Sequence, residues 1–247
     1  MNNYKLWLHL RYNGNRLRRQ AAFILLALLT ALSRGGFAQV ATKTIPLDAL
    51  SEMELRNVKA ERVTHKGKAA LRVTDRGANV PDGRRLVILN KTEFQDGVIE
   101  IDLTGEPGTD AGEGARGFVG LAFRVSAGVA NDDLKYECFY VRPTNGRADD
   151  QVRRNHSAQY ISFPEFPWQR LRMEFPEKYE SYVDLVPGEW TKVKIEVRGG
   201  KARLYVHDAP QPVLVVNDLK HGQSHGRIAL WIDPGTVAHF ANLRVSE

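Results

Sequence analysis

The sequence predicts an all-β protein, a two-sheet antiparallel β-sandwich or jelly roll. Three observations carry that expectation. Short segments of alternating apolar and polar residues run from end to end, and turn residues punctuate them. One pair of segments meets at Gly199-Gly200, a two-residue signal for a tight hairpin. No stretch after residue 38 carries a sustained helical period, and many short strands without helices make a sandwich or jelly roll.

Taken in order, strands are expected at 61–65 and 69–74 around Lys66-Gly67, then at 86–89 and 98–103. Next come 117–125, 135–142 and 157–163. The last third adds 191–197, 202–207, 213–216, 227–232 and 238–245. The rhythm breaks in "FPWQRLRMEFPEKYESYVD", where prolines at 164, 167, 176 and 187 mark a long excursion.

The first 38 residues read differently. They hold Lys5, Arg11, Arg16, Arg18, Arg19 and Arg34 with no acid, then an apolar run at 21–32 and small residues up to Ala38. That order is the pattern of a secretory signal peptide, and the run is short of the ~20 residues of a bilayer span. An exported protein, periplasmic or extracellular, is expected, with one domain over 39–247 and no membrane attachment after cleavage. The leader also accounts for the positive charge. Of 35 Lys+Arg it takes six, leaving 29 against the 29 acids of the chain. A neutral domain argues against a nucleic-acid partner. A single cysteine, Cys138, excludes an internal disulfide and any cysteine-rich zinc site.

Alternation sorts the faces. In 191–197, Val193, Ile195 and Val197 point one way and Lys192, Lys194 and Glu196 the other. In 117–125, Val119, Leu121, Phe123 and Val125 read as core, opposite Phe118, Gly120, Ala122 and Arg124. Tyr136, Cys138, Tyr140 and Arg142 form the outer set of the next strand. In 157–163, Ile161 and Phe163 are expected inward and His156 and Tyr160 outward. One sheet thus carries charges outside, and the other carries rings, small residues and arginines.

"GEWTKVKIEVRGGKARLYVHD", "HGRIALWID" and "VAHFANLRV", with "FQDGVIEIDL" earlier, resemble concanavalin A-like lectin/glucanase domains. That superfamily includes laminin G-like modules and the bacterial 3-keto-disaccharide hydrolases. Over residues 85–246 the resemblance implies a jelly roll with a carbohydrate-facing concave sheet, Trp190 and Trp231 being packing residues. Glu100 and Asp102 share a strand face and resemble the first two acids of the laminarinase-like Glu-x-Asp-x-x-Glu motif, but Gly105 stands where the third acid belongs. Without that acid a classical retaining mechanism fails.

Sugars present an apolar C–H face and a rim of hydroxyls, which rings and planar donors match. The expected ligand-binding set is Arg124, Tyr136, Tyr140, Arg142 and Tyr160, the loop residues Arg147, Asp149, Asp150, Arg153, Arg154 and Asn155, and Trp168 and Arg172 from the excursion. The plainer reading makes the loop a solvated, internally salt-bridged segment. Should the protein be an enzyme, His156 or Glu137 is the first base to try, for elimination of a glycosidic bond next to a sugar ketone. A protein-interaction module docking an acidic partner is the third alternative, marked by strong salt dependence. No cofactor is expected. A Ca²⁺ held by Asn145, Asp149 and Asp150 is an alternative whose spacing matches no EF-hand loop. The pattern leaves the sugar and the oligomeric state open.

Overall fold

The structure is a computed structural model that describes residues 41–77, 80–127 and 133–247. The expected signal peptide, 1–38, lies outside the described residues. Both sheets belong to one unit, Ala41–Glu247.

The first sheet runs β13 (Leu214–Val216), β12 (Lys201–Val206), β11 (Thr191–Arg198), β6 (Gly97–Pro107), β15 (Thr236–Ser246), β4 (Lys68–Asp75) and β3 (Val58–His65), with β1 (Thr42–Thr44) also on β15. The second runs β10 (Glu180–Ser181), β9 (Ala158–Phe163), β8 (Lys135–Val141), β7 (Val119–Ser126), β14 (Gly226–Ile232), β5 (Arg85–Phe94) and β2 (Met53–Arg56). All pairings are antiparallel, and the two sheets pack as an unclosed sandwich.

Alternation does what it should in β11. Val193, Ile195 and Val197 are buried while the residues between them are half-exposed. Burying such side chains stabilises the fold by roughly 1.5–3 kcal/mol each. β11 and β12 close at Gly199-Gly200, with Arg198 opposite Lys201, and Gly199 takes the positive φ of 57° that the tight turn needs. Within the core Phe94 meets Phe123 edge to face at 6.3 Å between ring centroids, and Phe123 stacks on Phe139 at 6.2 Å.

Glu100 and Asp102 share the outer face of the first sheet. Asp102 accepts from Lys68 Nζ at 2.6 Å and Asn242 Nδ2 at 2.7 Å, and Arg244 stands 3.5 Å from Glu100. Gly105 has a steric reason to be glycine. A Cβ there would lie 2.3 Å from the Gly117 carbonyl oxygen, so no acid fits where the glucanase motif has one.

The segments read as loop and excursion contain two short helices, α1 (Gln151–Asn155) and α2 (Trp168–Glu174). Asp150 caps α1 by accepting from the Arg153 N–H at 2.9 Å. Leu171 anchors α2 as its buried residue. Five to seven residues carry too little periodicity to show in a sequence.

Candidate ligand-binding site

The ends of β7, β8, β9, β14 and β5 meet along one edge of the second sheet, where they frame a cavity of about 540 Å³. Arg116 and Phe118 come from the segment entering β7. Arg142 and Asn145 follow β8, and Arg153 and His156 lie on α1 and its end. Trp168 and Arg172 come from α2. The opposite wall holds Asp82, before β5, and Asp233-Pro234-Gly235, the turn out of β14.

Beneath this cavity the outer face of the second sheet is aromatic, as expected for β8, but it is covered. Register places Gly120 beside both Tyr140 and Trp231, and Tyr136 beside Phe163. Tyr140 packs on Trp231 at 4.6 Å, and Tyr136 stacks on Phe163 at 5.1 Å. The Tyr136 hydroxyl donates to the Gly83 carbonyl at 2.6 Å and accepts from Trp231 Nε1 at 3.0 Å. Arg142 lies 4.9 Å over the Tyr140 ring and donates to its hydroxyl at 2.7 Å. Tyr136 and Tyr140 are therefore a sealed floor under residues 81–84 and Arg142, which corrects their expected role as ligand-facing groups. Gly120 leaves no spare room in that floor. A Cβ there would sit 2.2 Å from the Phe139 oxygen and 2.5 Å from Tyr140 Cβ. Gly120→Ala is expected to lower stability by about 1–3 kcal/mol, read as a fall in thermal midpoint.

β9 is reversed from expectation. Tyr160 pairs with Phe139 and faces the first sheet, while Ile161 and Phe163 lie on the outer face with Cys138 and Tyr136. Every residue of β9 is buried, so neither face carries the polarity that would orient it. Glu137, an expected base, shares Tyr160's side. It is fully buried and accepts from the Tyr160 hydroxyl at 2.6 Å and the His221 N–H at 2.8 Å. A carboxylate so enclosed and so engaged reaches no ligand.

Arg124 also leaves the expected set. It sits in a bulge at φ 54°, at the opposite end of β7 from the cavity. Its guanidinium donates to the carbonyls of Gln95, Gly199 and Gly222 and to Asp96, at 2.7–2.9 Å. Arg147 forks onto Asp184 at 2.8 and 2.9 Å on the surface. Arg154 donates to the Tyr182 hydroxyl, and Asn155 accepts from Gln151. Asp149 and Asp150 are exposed and form no ion pair with the loop's arginines. Among the described residues no cluster of three or more His, Cys, Asp or Glu is placed to hold a metal.

What the structure does bring together from the expected set is Arg142, Arg153, His156, Trp168 and Arg172. Sequence reading missed Arg116, Asp82 and Asp233. The one available signal was the Asp-Pro-Gly turn directly after Trp231 and Ile232, at a strand end.

Electrostatics differ across the cavity. Arg172 is neutralised by a two-pronged contact to Glu180, 3.0 and 2.7 Å. His156 Nδ1 lies 2.7 Å from the same carboxylate, at an angle outside that of a directed hydrogen bond. Burial lowers the His156 pKa, Glu180 opposes, and the Arg172 and Arg142 charges lower it further. The ring is neutral at neutral pH. Across the cavity, burial and then the Asp82 charge push the Asp233 carboxyl up to about 8, against the Gly83 N–H and Arg85. Arg85 stands 3.6 Å from Asp233 but is committed to Asp75 at 2.9 Å, which explains why its pull loses.

No family model and no curated protein matches the chain. Among solved structures, a protein of unknown function with a galectin-like fold from Bacillus subtilis aligns at TM-score 0.53 and 12% identity, over 83% of this chain and 94% of that one. The carbohydrate-binding module CBM66 from Bacillus subtilis aligns at 0.48 and 15% identity, over 78% and 98%. A Bacillus licheniformis β-glucanase aligns at 0.40 and 9%, over 86% and 95%. At these identities the likeness is one of fold, the two-sheet jelly roll that the strand pattern leads one to expect.

Proposed function

We propose that this protein is an exported carbohydrate-binding jelly roll whose ligand occupies the cavity at the strand ends of the second sheet. The observation that supports the reading is the pairing of half-exposed rings with planar donors in one recess. Trp168 and Phe118 supply surface for the apolar face of a pyranose, while Arg142, Arg153 and Asn145 supply groups for its hydroxyls. Arg142 and Arg172 lie 5.9 and 4.8 Å over the Trp168 ring and hold it in place. The binding locus is thus the rim of the aromatic face and not its middle, which Arg142 and residues 81–84 cover. Export rests on the leader's basic, apolar and small-residue order.

A glycan array with the mature protein tests this. Trp168→Ala is expected to weaken binding at least tenfold, since stacking on an aromatic face is what holds the sugar plane. Its thermal midpoint should change by only a few degrees, because the ring is half-exposed. An array without a single bound saccharide rules the reading out, and unchanged affinity in the variant moves the ligand elsewhere.

One observation favours a second reading, an enzyme resembling the 3-keto-glycoside hydrolases. His156 is neutral, borders the cavity and has Glu180 at its Nδ1, as a proton acceptor requires. In that reaction the base takes the proton beside the ketone, and the electron pair expels the glycosidic oxygen. Release of reducing sugar from a 3-keto disaccharide, abolished in His156→Ala, establishes it; absence of release with wild type excludes it.

A further inference from the structure

We propose that the cavity selects an acidic saccharide, one bearing a carboxylate or sulfate ester, which Arg116, Arg142 and Arg153 hold through its charge. The inference rests on the carbohydrate reading and specifies its ligand class.

Elsewhere in the fold, four buried or half-buried arginines each sit against a carboxylate. Arg85 lies against Asp75, Arg124 against Asp96, Arg172 against Glu180 and Arg227 against Glu54, each within 3.1 Å. Those four guanidinium groups are thus supplied with a carboxylate, as the cost of burying a lone charge demands, whereas half-buried Arg154 is served by the Tyr182 hydroxyl and the Ala148 carbonyl. The cavity breaks that pattern. Among the described residues, Arg116, Arg142 and Arg153 have no carboxylate within ion-pair distance. Arg142 is only 5% exposed, and its partners are neutral: the His156 carbonyl at 2.7 Å, the Tyr140 hydroxyl at 2.7 Å and Gln159 Oε1 at 3.3 Å. Arg116 donates only to the backbone carbonyls of Glu113 and Ala115. Beside them, Asn145 Oδ1 is buried without any partner, in a residue 4% exposed.

The three charges are close enough to act on one another. Burial, then the Arg153 and Arg142 charges, lower the pKa of Arg116. Mutual repulsion among these guanidiniums is relieved by an anion, whose two oxygens match the planar guanidinium fork. The opposing charge is Asp82 on the far wall; Asp233 beside it carries a proton at neutral pH. The cavity lining is therefore net cationic in a domain whose basic and acidic residues otherwise balance. A neutral sugar would satisfy the rings and leave the three guanidiniums facing one another. A uronate or sulfated sugar satisfies both.

Matched pairs test the charge alone. Calorimetry with the mature protein would compare an oligogalacturonide with its methyl ester, and a sulfated oligosaccharide with its desulfated form. The acidic member of at least one pair is expected to bind tenfold tighter or more. Arg153→Gln, at an exposed position where folding is not at stake, should cut that ratio severalfold by weakening the acidic member far more than the neutral one. Arg116→Gln should do the same. Saccharides bound through Trp168 with no preference for either acidic member would overturn the inference and keep the carbohydrate reading. Binding of none of the four, with a blank array, would overturn both.

Discussion

Arg124→Ala is expected to be among the most destabilising substitutions in the protein, lowering the thermal midpoint by roughly 6–20 °C. The figure follows from roughly 1–1.5 kcal/mol for each of three carbonyls that lose a charged donor, together about 3–5 kcal/mol, and about 2–4 °C per kcal/mol in a domain of this size. The ion pair itself is the smaller part. Asp96 is 43% exposed, so water screens its attraction to the guanidinium. The larger part is the loss of donors to the carbonyls of Gln95, Gly199 and Gly222, which belong to three separate connections. One guanidinium, itself inaccessible to solvent, thus ties the β5–β6 turn, the β11–β12 hairpin and residues 219–222 to the bulge in β7. Arg124→Lys keeps a charge but loses the planar fork and should fall between wild type and alanine. A calorimetric loss below about 1 kcal/mol for the alanine variant would show that those turns hold without it.

The second large effect is a pH dependence centred on Asp233. Its folded-state pKa of about 8 stands above the usual carboxylate value, so between about pH 4 and 8 the native state holds a proton that the unfolded chain has released. Stability is therefore highest, as far as this group is concerned, below the unfolded value, and is lost as pH rises through about 8. Asp233→Asn keeps an acceptor for the Gly83 N–H, 3.2 Å away, and never ionises. The variant should match wild type near pH 4 and gain on it with rising pH. By pH 9 its thermal midpoint should be higher by about 5 °C or more. A variant less stable than wild type at pH 9 would mean that Asp233 is ionised and paired with Arg85.

The two residues show why the site could be only half read from the chain. Arg142, Arg153, His156, Trp168 and Arg172 were within reach because they cluster in one stretch rich in arginine and rings. Arg116, Asp82 and Asp233 come from connections far away in sequence, and nothing local marks them as neighbours. The arginines that proved structural, Arg124 and Arg147, are chemically the same as those that line the cavity. What separates them is where their guanidiniums end, at the far end of β7 or on the surface against Asp184, away from the strand ends that frame the cavity.

By itself the sequence determined the all-β class, the hairpin at Gly199-Gly200, the charged outer face of β11 and the shared face of Tyr136, Cys138 and Tyr140. Each is a property of period two and turn chemistry, which act over a few residues. Tertiary structure alone decided which way β9 faces, since all its residues are buried and its neighbours set the register. It also decided that Gly83 and Arg142 close over the tyrosines, and that three unpaired guanidiniums converge at the strand ends. Those outcomes depend on which connections meet across a sheet edge, and alternation along a strand carries no information about that.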